Sequence, residues 1–202
     1  MRDHSGPLDY FDEAYVKQWA SAANAKRPFR SEFFDAFVSE LSALHKPRVL
    51  DVGCGPGFLA ERILTACDVA SYHLFDFSPH MIEMSRARLR DFVERAVFHQ
   101  GSFLDEGWTE SLPAPFDAIV SLQTIHFAHD SARVQKLYGE LKSILREGGV
   151  LLIADRIGDG VDKEGVLSPS EHEAALSKAG FEEIRLVHAA GDLVMFAAVR
   201  RG

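Results

Sequence analysis

A chain of 202 residues that is 47% hydrophobic and 26% charged carries enough apolar material for one sizeable core, so one main domain is expected. Its formal net charge of −8, with no concentrated basic patch, excludes the usual electrostatic footprint of a nucleic-acid binder, and no DNA partner is expected. The polar opening MRDHSGPLDYFDEAY lacks an apolar leader core, and no later apolar run is long enough to span a bilayer. The two cysteines, Cys54 and Cys67, sit in no metal or redox spacing, so a cytoplasmic protein without membrane contact is the expectation.

Residues 8–45 read as two helices, with Pro28 marking the break between them. From Arg48 onward, short apolar runs alternate with amphipathic segments, the pattern of a mostly parallel sheet covered by helices on both faces. Strands are expected at 48–52, 72–76, 96–100, 116–122, 150–155, 182–188 and 192–200, and helices at 58–67, 79–93, 131–146 and 169–179. Asp130 or Ser131 suits a helix start, and Gly148-Gly149 suits the end of that helix. Ser168-Pro169 suits the start of the last helix, and Gly180 suits its stop. The last two strands are separated only by residues 189–191, too few for a helical crossover, so they must pair antiparallel. Residues 158–165, GDGVDKEG, read as a mobile loop.

The most informative stretch is RVLDVGCGPGFL, residues 48–59: a strand, then Gly53, Gly55 and Gly57, then a helix start. Glycines there permit positive φ and let a ligand approach the backbone without meeting a β-carbon. A dinucleotide site wants G-x-G-x-x-G/A, and counting from Gly53 the last small position is Phe58, so that match fails. Asp51 ends the first strand beside the loop, where a carboxylate repels pyrophosphate and attracts a cation. Asp76 follows Gly57 by roughly 20 positions, close to the spacing at which such folds place a ribose-binding carboxylate. Either acid alone also suits a turn cap.

On these residues the sequence resembles the class I S-adenosylmethionine-dependent methyltransferase family, whose nucleotide loop reads acid-x-G-x-G-x-G and stands here as DVGCGPG. The segments LFDFSPHMIEMSRARL, HQGSFLD, FDAIVSLQTIHF and LKSILREGGVLLIAD resemble the family's later motifs in order, and the similarity covers residues 48–200. The resemblance implies a Rossmann-like three-layer α/β sandwich with a seven-stranded, mostly parallel sheet, its antiparallel seventh strand lying between the fifth and sixth. N-terminal helices precede it, residues 1–46 forming a cap or lid and 47–202 the cofactor-binding domain. It implies S-adenosylmethionine as cofactor, with S-adenosylhomocysteine as product, held by Asp51, Gly53, Cys54, Gly55, Gly57, Asp76, Phe77, Met81, Ser102, Phe103 and Ser121. Ser102 departs from the commonest pattern, which has an aspartate after the third strand.

Methyl transfer from a sulfonium is an in-line displacement that needs positioning and exclusion of water rather than a metal, and no metal is expected. The acceptor belongs above the C-terminal edge of the sheet, which makes Gln123, His126, His129 and Arg156 candidates for binding it. Tyr15, Trp19 and Arg30 of the N-terminal segment join them. His126 is the candidate general base, since a neutral imidazole can take a proton from an acceptor; either histidine can equally pack under the loop or face solvent. The leading expectation is methylation of a small molecule on oxygen or nitrogen by a monomer or homodimer. An RNA or protein methyltransferase, or an inactive S-adenosylmethionine-binding regulatory module, stays open beside it.

Overall fold

A computed structural model of the chain describes residues 10–128, 130–158 and 166–202. Two helices, α1 (Glu13–Lys26) and α2 (Arg30–Ser42), precede the sheet and break at Pro28 as expected. Strand β1 (Arg48–Val52) leads into α3 (Phe58–Ala66), β2 (Ser71–Asp76) into α4 (Pro79–Arg88), and β3 (Ala96–Gln100) follows. Then come β4 (Phe116–Leu122), α5 (Ser131–Ile144), β5 (Leu145–Arg156), α6 (Pro169–Lys178), β6 (Phe181–Ala190) and β7 (Leu193–Arg200).

The helix starts follow local chemistry. Ser78 caps α4 by accepting from the Met81 amide, with Pro79 in the first turn, and Asp130 caps α5 through the Arg133 amide. At α6, Ser168 and Glu171 form a reciprocal capping box. Two expected helix ends move: α4 stops at Arg88 rather than near Val93, with a separate 3-10 turn (Arg90–Phe92) after it, and α5 stops early as well. Helix α5 ends at Ile144 rather than near Arg146, because Leu145 pairs with Phe116 and the chain runs on through Gly148-Gly149 as the irregular start of β5. Strand pairing across a bulge has overridden the helical pattern there.

The strand order is β3-β2-β1-β4-β5-β7-β6, with β7 antiparallel to both neighbours, as the resemblance implies. Alternate residues of each central strand feed two cores. Val49, Ala118 and Leu152 face one side with Phe33, Phe37 and Leu41 of α2 and Ile63 of α3. Leu50, Ile119 and Leu151 face the other with Val134, Leu137 and Leu141 of α5 and Leu176 of α6. Both faces are therefore dry, and a parallel sheet so covered leaves its C-terminal edge as the place for a ligand. The reversal of strand order between β1 and β4 puts the open crevice there.

Polar side-chain contacts fasten the N-terminal helices to the β6–β7 hairpin. Arg27 donates to Asp192 through two nitrogens at 3.1 and 2.9 Å, His188 lies 3.2 Å from Glu32, and Arg185 contacts Glu40. The Tyr10 carbonyl accepts from Ser78 Oγ at 2.6 Å, which seats the chain before α1 on the start of α4.

Candidate active site

At the crevice, the chain leaves β1 through three glycines that all take positive φ: 73° at Gly53, 54° at Gly55 and 80° at Gly57. Gly53 has no substitute, because a Cβ there would lie 2.2 Å from Thr124 Cγ2. The amides of Gly53 and Cys54 donate to the Phe75 carbonyl at 2.8 and 3.1 Å, tying the loop to β2. Asp76 accepts from the Gly55 amide at one oxygen and from the Ser78 amide at the other, each at 2.9 Å. Each oxygen keeps a lone pair for a ligand.

Both acids are deeply buried. Asp51 is 1% exposed, and burial, opposed by the Tyr72 hydroxyl at 3.0 Å and reinforced by the charge of Asp76, pushes its carboxyl up to about 7. Burial likewise lifts Asp76 to about 6 against the backbone amides that it accepts from. Two carboxylates held reluctant to ionise at one crevice are poised for a cation or a pair of hydroxyl donors.

The crevice, about 1040 Å³ with its open mouth, is lined by Asp51, Gly53, Cys54, Gly55, Asp76, Phe77, Met81, Ser102 and Phe103 among the expected cofactor residues. Trp19, Arg30 and Gln123 of the expected acceptor residues also line it. The structure places several others elsewhere. Gly57 caps α3 rather than lining the crevice. Ser121, fully buried, donates to the Val52 carbonyl at 2.9 Å and cross-links β4 to β1. Tyr15 packs edge-on against Tyr10, ring centres 5.4 Å apart. Arg156 turns toward Asp192 at 3.7 Å, beside the β6–β7 turn. His129 lies outside the described residues, as do residues 159–165 of the loop expected to be mobile.

His126 is absent from the crevice wall. Its Nδ1 is 2.6 Å from Asp155 Oδ1 and its backbone amide donates to Oδ2 at 2.7 Å, while the ring leans on Phe127 at 4.4 Å. Burial pushes Asp155 up, but the charge and hydrogen bond of His126, with His172 and the Arg156 amide, hold it below the usual carboxylate range.

Other wall residues gain their partners only in the fold. Tyr10 and Phe127 close the mouth, their rings 5.9 Å apart, and Tyr10 also touches Phe77 at 5.9 Å and Trp19 at 6.2 Å. Tyr10 lies in a 3-10 turn just before α1 rather than in that helix, and Phe127 lies in a single 3-10 turn (Ile125–Ala128) too short to show a period. Thr124 Oγ1, 3.3 Å from the Gly53 and Leu122 carbonyls, joins the end of β4 to the glycine loop. Arg30 is 7% exposed, stacks by Phe34 and Phe58 at 5.5 and 6.0 Å, and burial together with Arg27 lowers its guanidinium to about 10.

Seven strands in this order around a glycine-lined crevice define an α/β domain built to hold a ligand across the ends of β1 and β2. The chain matches the family described as "Methyltransferase domain" over residues 45–184 and belongs to it, as a member of the class I S-adenosylmethionine-dependent methyltransferases. It is 27% identical over 157 residues to a malonyl-[acyl-carrier protein] O-methyltransferase of Magnetococcus marinus, covering 78% of this chain and 52% of that protein. It is 32% identical over 152 residues to the chloroplastic 2-methyl-6-phytyl-1,4-hydroquinone methyltransferase 2 of Oryza sativa, covering 70% of this chain and 40% of the relative. The chain thus spans about half or less of the length of these curated relatives. Human N-acetylserotonin methyltransferase, solved with S-adenosylmethionine, shares the fold with a TM-score of 0.75 at 17% identity, over 100% of this chain and 61% of that one.

Proposed function

We propose that the protein transfers a methyl group from S-adenosylmethionine to a small-molecule acceptor, on oxygen or nitrogen, in the crevice at the ends of β1, β2 and β4. The observation that carries this reading is the presence of two buried carboxylates, Asp51 and Asp76, beside a loop with glycine at 53, 55 and 57. When bound, S-adenosylmethionine supplies a methyl group on a sulfonium, whose transfer leaves a neutral thioether. Every other task falls to the chain.

Asp76 accepts from the ribose hydroxyls with the lone pairs left beside Gly55 and Ser78, and Asp51 faces the ammonium of the amino-acid part. Gly53, Cys54 and Gly55 admit the ligand to the backbone, while Phe77, Met81, Ser102 and Phe103 enclose the adenine. Arg30 is the buried cation lining the crevice among the described residues and pairs with an anionic group of either ligand. Gln123, at φ 58°, presents a carboxamide toward the acceptor from the end of β4. Residues 1–46 act as a cap, in which Tyr10 and Trp19 exclude water from the reacting atoms. The contacts of His126 favour anchoring the turn that carries Phe127 over direct proton transfer. Activity of relatives on a carrier-bound malonyl group and on a hydroquinone, as their names state, supports a small acceptor. A cytoplasmic setting belongs to the same reading, supported by two buried free thiols.

Calorimetric titration with S-adenosylhomocysteine, joined to a screen for that product over carboxylic acids, phenols, quinols and amines, tests it. Product formed in an acceptor-dependent way is expected. Tight binding with no turnover on any acceptor would favour a regulatory module, and absence of binding would remove the reading.

A further inference from the structure

Helix α4 carries Arg86 and Arg88 in its last turn, and nothing in the sequence sets Arg88 apart from its neighbour. In the fold, its guanidinium reaches the glycine loop from outside the crevice wall. Nε donates to the Pro56 carbonyl at 2.8 Å, Nη1 donates to Glu61 Oε2 at 2.9 Å, and Cζ stands 4.1 Å from the centre of the Phe58 ring. These contacts bracket Gly57, the left-handed residue that turns the loop into α3.

The Gly57 amide donates to the Cys54 carbonyl at 3.2 Å, so the Pro56–Gly57 peptide is held at both ends, by Arg88 on its oxygen and by Cys54 on its nitrogen. Helix α4 also presses on the loop directly, since a Cβ on Gly57 would lie 3.1 Å from Ser85 Cβ. Three glycines leave a loop rich in accessible conformations, and a peptide beside a glycine turns over readily unless both its dipoles are engaged. A loop that must be ordered by its ligand binds more weakly than one already ordered.

We infer that Arg88 is a positioning residue for the cofactor loop, holding the Pro56–Gly57 peptide from behind so that the crevice is ready for the donor nucleoside. The inference rests on the reading that the crevice binds S-adenosylmethionine. An arginine suits the task because one planar group donates to a carbonyl, pairs with a carboxylate and stacks on a ring at once, which an ammonium cannot do.

The test is titration of the full chain and its variants with S-adenosylhomocysteine, with thermal unfolding of each alongside. Arg88→Met is expected to bind about tenfold more weakly, as loss of a charge-assisted hydrogen bond implies, and Arg88→Lys to recover part of that loss. Glu61→Gln breaks the ion pair on the same guanidinium but leaves the Pro56 bond, so its affinity is expected to stay within about twofold of the parent. Folded Arg88→Met with parental affinity would overturn the inference. So would Glu61→Gln and Arg88→Met losing affinity in step with melting temperature, which is what a purely structural role does. Should Arg88→Met not fold, Arg88→Lys carries the test, and parental affinity there overturns it. A parent protein that does not bind S-adenosylhomocysteine overturns the cofactor reading first and this inference with it.

Discussion

Asp155 grips His126 twice, accepting from the ring at 2.6 Å and from the backbone amide at 2.7 Å, so one buried carboxylate at the end of β5 fixes both the side chain and the turn of its neighbour. The Arg156 amide donates to the same carboxylate at 2.7 Å. Next along that turn is Phe127, in the crevice wall, so the grip on His126 sets the wall.

Breaking a buried pair by neutralising one member is costly, and Asp155→Asn is expected to lower stability by about 3 kcal/mol. Urea denaturation measures it. If the pair works as one anchor, His126→Asn and Asp155→Asn reduce turnover non-additively, the double variant being little worse than Asp155→Asn alone. Total loss of turnover in His126→Asn with stability intact would restore the histidine as a base.

Asp76→Ala is expected to weaken S-adenosylhomocysteine binding by about 1.5–3 kcal/mol through lost charge-assisted hydrogen bonds. Calorimetry reads this directly, and unchanged affinity places the ribose elsewhere.

The raised carboxyl of Asp51 gives a pH dependence of definite sign. Its value is about 7 folded and 3.8 in the reference state, so between these the native state holds more protons than the unfolded one. This contribution to stability of the ligand-free protein therefore falls as pH rises from about 4 to about 7. S-adenosylmethionine brings an ammonium that favours the ionised carboxylate, so its affinity is expected to increase from about pH 6 to about pH 7, below the range where an α-ammonium itself titrates, with proton release on binding. Titration in buffers of different ionisation enthalpy counts the protons, and Asp51→Asn reduces their release to the share of Asp76, which is also raised, to about 6.

Gly53→Ala is expected to cost at least ~1 kcal/mol from its positive φ alone, and more from the collision with Thr124. Chemical denaturation of Gly53→Ala, Thr124→Gly and the double variant separates the two parts, because the cycle removes the cost of losing the Thr124 hydroxyl and leaves the collision as the coupling.

Removal of residues 1–27 takes away Tyr10 and Trp19 of the crevice wall while leaving Phe33, Phe37 and Leu41 in the core. Turnover is expected to fall far more than melting temperature. Near-parental activity would show that the N-terminal segment is packing rather than a lid.

Sequence reading reached the seven strands, the antiparallel β7 and the loop with its two acids, because each leaves a local mark. Period-two and period-3.6 apolar patterns depend on near neighbours, a three-residue gap admits only a hairpin, and a glycine at every second position announces positive φ before any partner is known. Asp130 and Ser168 declared their helices for the same reason.

What distance along the chain conceals, only packing decided. Leu145 looked helical until Phe116, brought alongside by the sheet, claimed its backbone. His126 read equally as a base or as a packed ring until Asp155, 29 residues on, closed on it from β5. Ser121 proved to be a bolt between strands, and Thr124 and Arg88 reached the glycine loop from elements that share no local pattern with it. A side chain's type is written in the sequence, but its partner is chosen by where the sheet order and helix packing bring distant backbones together.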